Sequence, residues 1–481
     1  MGLGFQQLEM NGLMCTNSLS IRMTPLYHII LSRIAFKKKN GFVAQKLSNY
    51  IDVGGGEDIY AKYYSFDETD YVYLSSKNIK NEDIDIEDDP IFIYNEMGKE
   101  FLDKNKILKE NDIIVTRSGT VGVSVLITKD IVTKKTLIPS GYIKILRTQG
   151  EVLPKFLLYY LRNPIIRELM EIEATGKDQK NLSHDAVKNL PFPLISIENQ
   201  KNVLGSVENI EKKIEELKKQ YKTEEEIINE SFSKVLKYER AIPKTDNYRK
   251  EINLTNIDDR YMRTDPDYFM FLENYKTFLE KNKNVEFSDL SEFLEDYESG
   301  KPIKRNDYVD LESNYIHIVP RDIKNTRLKI KDAIFINYNK GEELKQFRCN
   351  KDDILLVLSS NVGDAAIFDL KDKNYTISHY ICKLKVKGLN KKFLLYFFYF
   401  EPIKQYFRAI ETGKGQKNLA KYYIFHLKIP NIRNQEEIVK EIETNLEKHE
   451  KIKKDILRLR KEIHEVFWEE LHKYTIQKAK M

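Results

Sequence analysis

Two long stretches of the chain space their apolar residues alternately by four and three. In the first, Val203, Val207, Ile210, Ile214, Leu217, Tyr221, Ile228 and Val235 keep this register, and Glu224 and Ser231 interrupt it. In the second, Ile438, Ile442, Ile452, Ile456, Leu459, Ile463 and Val466 keep it, and Asn445 and His449 interrupt. This is the seam of a helix that pairs with another helix, and the dense Glu and Lys between seam positions suit solvated flanks. Each stretch is roughly 40 residues, or about 60 Å as one helix. The first must stop before Pro243, where the ring removes a donor and clashes with the preceding turn. Elsewhere the pattern alternates as in strands, with helical patterns at Lys155 to Glu173 and Lys391 to Ile410.

The two halves of the chain correspond, in the same order. Arg22-Met23-Thr24-Pro25-Leu26-Tyr27 answers to Met262-Arg263-Thr264-Asp265-Pro266-Asp267-Tyr268, and Tyr71-Val72-Tyr73-Leu74 to Tyr315-Ile316-His317-Ile318. Asn111-Asp112-Ile113-Ile114-Val115, followed by Ser118-Gly119-Thr120-Val121-Gly122, matches Asp352-Asp353-Ile354-Leu355-Leu356, followed by Ser359-Ser360-Asn361-Val362-Gly363. Each reads as a strand, a small polar loop and a second strand. The sharpest match is Thr175-Gly176-Lys177-Asp178-Gln179-Lys180-Asn181-Leu182 against Thr412-Gly413-Lys414-Gly415-Gln416-Lys417-Asn418-Leu419. Pro193 and Pro430 follow, then Asn199-Gln200 and Asn434-Gln435 at the heads of the helical stretches.

The expected architecture is therefore α+β: a leader over 1–18, a globule over 19–197, a helix over 198–242, a linker and second globule over 243–432, and a helix over 433–481. Two seams in equivalent register predict that the helices pair, antiparallel, with a globule at each end.

Composition changes this picture little. In 481 residues, 41% are hydrophobic, enough to bury real cores, and no run approaches the roughly 18 apolar residues of a spanning helix. Cys15, Cys349 and Cys382 lack the paired spacing of a disulfide framework or thiolate metal site, which favours a reducing, cytoplasmic setting. The net charge of +5 is too small to announce a nucleic-acid binder, yet permits one whose basic groups share a surface.

Catalytic motifs are missing where an enzyme would show them. Gly176-Lys177 and Gly413-Lys414 lack the flanking residues of a phosphate-binding P-loop, and no Asn-Pro-Pro-aromatic or Asp-Pro-Pro-aromatic tetrapeptide occurs. The eight histidines form no ligand pair, and Asp112 and Asp353 recur as turn formers at strand entry. What recurs is small, polar and basic. Lys177, Lys180, Lys414, Lys417 and Lys421 suit phosphates, while Gln179, Asn181, Gln416 and Asn418 suit base edges. Arg117, Ser118 and Thr120, with Ser360 and Asn361 in the second copy, form a further candidate contact loop. The alternative for the amides is a structural one, docking each globule onto the helix that follows; Tyr60, Tyr63 and Tyr64 either line a groove or belong to the core.

These duplicated motifs resemble the specificity subunits of type I restriction-modification systems: the Asp-Ile-Ile/Leu strand with its Ser-Gly-Thr-Val-Gly-like loop, the Thr-Gly-x-x-Gln-x-x-Leu turn, the following Pro, and the Asn-Gln opening the helix. The second copy departs by carrying Ser360-Asn361 and no Arg to match Arg117. The resemblance implies a non-catalytic reader of double-stranded DNA, with two target-recognition domains on an antiparallel coiled coil that spaces two half-sites. It implies docking to two modification subunits and to restriction subunits. No cofactor would bind this chain; S-adenosylmethionine, ATP and magnesium would serve the adenine methyltransferase and endonuclease activities of partner chains. The rival readings are a coiled-coil interaction scaffold, which leaves the duplicated Lys, Gln and Asn turn unexplained, and a self-contained methyltransferase or nuclease.

Overall fold

The computed structural model describes residues 44–65, 68–80, 82–86, 90–176, 180–238, 266–412 and 418–477. The expected leader and the Arg22 to Tyr27 motif lie outside them, as do Met262 to Asp265. The chain forms two compact units, Met1–Lys218 with Ile456–Met481, and Lys219–Asp455. Each holds one of the expected globules and parts of both helical stretches.

The first unit is organised by a four-stranded antiparallel sheet in the order Ile51–Gly55, Ile143–Thr148, Ile113–Thr116, Ser124–Leu126. Ile113, Ile114 and Val115 are all buried because both sheet faces are covered. Ile113 and Val115 pack with Phe156, Leu157 and Tyr160 of the helix Pro154–Arg162, whereas Ile114 packs with Val72 and Leu137. The latter two come from the strands Tyr71–Leu74 and Thr136–Pro139, a parallel pair in a second sheet. The second unit repeats this plan with Leu294–Ser299, Ile381–Val386, Ile354–Val357 and Ala365–Ile367, and a parallel pair of Tyr315–Ile318 with Asn374–Ile377. The mixed helix and sheet architecture and the duplication agree with the sequence.

The helical stretches need a correction. The second is one helix, Gln435–Gln477, of 43 residues. The first is two, Ile197–Gln220 and Glu224–Ser233. The cause is local: Thr223 and Glu226 form a capping box, with the Glu226 N–H donating to Thr223 Oγ1 at 3.2 Å and the Thr223 N–H to Glu226 Oε2 at 2.6 Å. A new helix starts there. The Lys222 N–H, left without an intrahelical acceptor, donates to His449 Nδ1 at 2.8 Å, so the polar interruption of one seam satisfies the break in the other. The register shifts after the break: Val235 is 36% exposed, while Ile227, Ile228, Phe232 and Leu236 are buried, with Ser231 beside them at 2% exposure.

Within the first unit, Val203, Val207, Ile210 and Ile214 share one buried cluster with Leu459, Ile463, Phe467 and Leu471, and Leu217 and Ile456 lie at its margin. Tyr159 hydrogen-bonds Glu211 and packs its ring 5.7 Å from Phe467, and Asp83 pairs with both Lys218 and Arg460. Advancing from Glu211 to Lys218 on one helix therefore retreats from Phe467 to Arg460 on the other: the two run antiparallel. In the second unit Ile438, Val439 and Ile442 bury with Ile227, Ile228 and Phe232, and Phe232 stacks among Phe393, Phe397 and Phe400. In both units the seam packs onto the globule as well as onto its partner helix.

The repeated Gln is a clamp. Gln200, fully buried, accepts the Leu153 N–H through Oε1 at 2.8 Å and donates from Nε2 to the Glu151 and Ile195 carbonyls. Gln435 Oε1 accepts the Asn390 N–H at 2.9 Å. Each ties the head of a long helix to the start of the helix beneath it, Pro154–Arg162 or Lys391–Tyr399. Asp112 and Asp353 likewise close turns, accepting from the Lys109 and Asn350 N–H groups.

One buried titratable group makes the second unit acid-sensitive. His317 is 1% exposed, and its Nδ1 lies 3.0 Å from Thr376 Oγ1 on the paired strand. Burial, with the nearby His379 and Lys340, pushes its pKa down to about 4. The unfolded chain protonates near pH 6.5, so the contribution is complete above that pH and falls as pH drops toward 4, by up to about 3 kcal/mol. Denaturant midpoints of the second unit, followed at pH 7, 5.5 and 4.5, should fall more steeply in the native chain than in His317→Gln; equal slopes would refute the assignment.

Candidate nucleic-acid interface

The structure joins the two sharpest repeated motifs. In the first unit the strand Ile113–Thr116 runs into the loop that carries Arg117, Ser118, Gly119 and Thr120. The Thr175-to-Leu182 turn closes on itself through Asn181 N–H to Thr175 O at 2.7 Å and Thr175 N–H to Asn181 O at 3.0 Å. It then docks onto the loop, with the Leu182 N–H donating to Arg117 O at 2.9 Å and a backbone bridge between Ser118 and Asn181. In the second unit the Leu419 N–H donates to Leu358 O at 2.7 Å, Ser359 bridges Asn418, and Thr412 pairs with Asn418. The same main-chain fixture is built twice.

Side chains on this fixture differ in exposure. Thr120, Lys180, Ser360, Asn361 and Asn418 are exposed, and Arg117, Asn181 and Lys421 are half-buried. Ser118 is buried, in contrast to its exposed neighbour Thr120. Asn181 Oδ1 accepts from Arg117 Nε, and Arg117 Nη1 donates to Gly141 O at 3.3 Å, so the amide aims the guanidinium. Lys421 lies 5.8 Å from the Tyr297 ring centroid. Lys177, Gln179, Lys414, Gln416 and Lys417 lie outside the described residues. The tyrosines divide: Tyr60 is exposed, whereas Tyr63 and Tyr64 join the core around Tyr73.

Sequence reasoning missed Lys144 and His184. Lys144 pairs across the sheet with both Val115 and Gly55. Gly55 has no side chain, and the space a Cβ would take there is 3.5 Å from His184 Nε2. Burial, aided by the Arg117 charge, pushes the Lys144 ammonium down to about 8. Burial and the Lys144 charge lower the His184 imidazole as well. A lone Lys in a strand pattern gives no sequence signal; only the register, which puts it opposite a glycine, reveals it. Among the described residues no group of three or more His, Cys, Asp or Glu is arranged to hold a metal ion.

The family model described as the type I restriction modification DNA specificity domain matches this chain twice, over residues 46–226 and 281–458, well over half its length. The chain belongs to the type I restriction-modification DNA specificity family. Members are the non-catalytic, DNA-recognising components of complexes with other subunits. Among solved structures, the chain is similar to the S subunit of a type I restriction-modification system from M. genitalium, at 15% identity over 89% of this chain and 96% of that one, with a TM-score of 0.34. It is similar to the HsdS subunit from Thermoanaerobacter tengcongensis, at 14% identity over 90% and 97%, with a TM-score of 0.34. A chain from a type I system described for its complex assembly and conformational transition gives 14% identity, 90% and 97% coverage, and a TM-score of 0.42. No curated protein matches. Among the described residues no helix is long and apolar enough to cross a membrane.

Both specificity domains hold the loop in one backbone shape. Gly122 and Gly363 have φ of +81° and +88°, and Gly119 at +74° corresponds to Ser360 at +77°. The second domain thus places an L side chain in the left-handed region, at roughly 1–2 kcal/mol. A Cβ at Gly119 would meet nothing within 4 Å, so the penalty is torsional alone. Ser360→Gly should stabilise the second domain by about 0.5–1 kcal/mol after the added freedom of the unfolded chain is subtracted, and Gly119→Ser should destabilise the first by a similar amount. Thermal denaturation of both variants checks the pair of opposite signs.

Proposed function

We propose that this chain is the sequence-specific DNA-recognition subunit of a type I restriction-modification complex, reading a bipartite, asymmetric double-stranded site with one half-site per recognition domain. The observation that carries this is the duplicated fixture: the same backbone docking of turn onto loop, dressed with Arg117, Gly119 and Thr120 in one copy and Leu358, Ser360 and Asn361 in the other. Two alike scaffolds with unlike side chains suit two different base sequences, since phosphate contacts position a reader and side chains at base edges specify. The antiparallel helices set the spacing between half-sites and dock two modification subunits. Half-sites about one DNA turn, roughly 34 Å, apart lie on one face of the duplex. Methyl transfer with S-adenosylmethionine, and any ATP- and magnesium-dependent cleavage by restriction subunits, belong to partner chains in the cytoplasm, and this chain binds no cofactor.

Methylation mapping of cells with and without the gene should show a split, asymmetric motif that depends on this chain; a single contiguous palindrome would refute two readers. Deleting two helical turns, about seven residues, from both helical stretches should shorten the gap and leave both half-site sequences unaltered. A changed half-site sequence would count against the spacer role.

A further inference from the structure

Lys144 is 4% exposed, and among the described residues its ammonium has no hydrogen bond and no ion pair. Burying an unpaired cation is costly, and replacing it by an apolar side chain of similar shape ordinarily stabilises a fold. Its surroundings add positive charge. Arg117 follows Val115 by two residues on the same strand path, and Val115 is the cross-strand partner of Lys144, so the two cationic side chains are diagonal neighbours on one sheet face. Gly55, the other partner of Lys144, opens that face toward the exposed imidazole of His184, which makes a backbone hydrogen bond to Gly54. Asp58, beside the Gly141 whose carbonyl accepts from Arg117, is engaged by the Gly141 N–H at 3.2 Å and the Tyr73 hydroxyl at 3.3 Å.

We infer that Arg117, Lys144 and His184 form a subsite for one backbone phosphate of DNA, present in the first recognition domain and absent from the second. The inference rests on the DNA-reading function proposed above. The three donors come from three different elements and lie close enough for their charges to act on one another, as a site for an anion requires. A guanine edge instead asks for a planar fork, and here the Nε side of the Arg117 fork is occupied by Asn181. Burial and the Arg117 charge lower the Lys144 pKa, and a bound anion would offset both. At the corresponding positions the second domain has Leu358, Cys382 paired with Ser299, and Lys421. Only the last is basic, and it lies over the Tyr297 ring, which packs 4.4 Å from Phe425.

The test is duplex binding by the full chain across a salt series, using the mapped target and a scrambled duplex. Lys144→Met should weaken binding to both duplexes about tenfold, reduce the slope of log affinity against log salt by about one, and leave the melting temperature unchanged or higher. His184→Gln, on the exposed rim, should weaken both duplexes about threefold without unfolding the domain, a change that a lost charge-assisted bond accounts for. An unchanged salt slope in both variants overturns the subsite, as does a loss confined to one base pair of the target, which would make these residues base readers. Absence of salt-dependent duplex binding by the unmodified chain would sink the DNA-reading function itself, and is distinguishable because it needs no variant.

Discussion

A main-chain hydrogen bond, Leu182 N–H to Arg117 O and its counterpart Leu419 N–H to Leu358 O, fixes the loop of each domain against its turn. Because it joins backbone to backbone, it constrains shape and leaves side chains free. The loop it holds leaves a strand buried on both faces, so the loop starts from the most rigid part of the unit. Glycines then define its course, with positive φ at Gly122 and Gly363. Side chains on this loop can vary without disturbing how it is held.

The same separation of duties explains which side chains the two copies retain. Gly98 and Gly341 are kept because a Cβ at either would lie 2.2 or 2.3 Å from the ring of Tyr71 or Tyr315. Gln200 and Gln435 are kept because each supplies an acceptor to a helix start that water cannot reach well. Repetition within one chain therefore marks the frame at these positions, and the copies differ on the loop that the frame holds.

Much of this was legible in the sequence. The duplication, the strand and loop motif, and the second long helix follow from periodicity and self-similarity. The break in the first stretch does not, although its signal is present: Thr223 followed three residues later by Glu226 is a capping box, yet the apolar spacing continues across it to Val235. A heptad count sees apolar spacing and is blind to a local competitor for the backbone. His449 shows the complement, a polar residue that weakens the seam on paper and supplies the acceptor that the break requires. Lys144 and His184 were illegible for another reason: only strand register brings Lys144 opposite Gly55 and beneath the imidazole.

Charge completes the argument. The chain's net +5 is too weak to organise DNA binding as a uniform field. Several carboxylates are committed locally instead. Asp112 engages Arg147 through two bonds of 2.8 and 2.9 Å, Asp83 holds Lys218 and Arg460, and Glu298 pairs with Lys383. Lys383 is the buried lysine of the second domain among the described residues, and it also donates to Arg348 O at 2.9 Å. Lys144, equally buried in the first domain, has no such partner among the described residues. Among the described residues the second domain thus neutralises its buried lysine internally, while the first leaves Lys144 beside the like charge of Arg117.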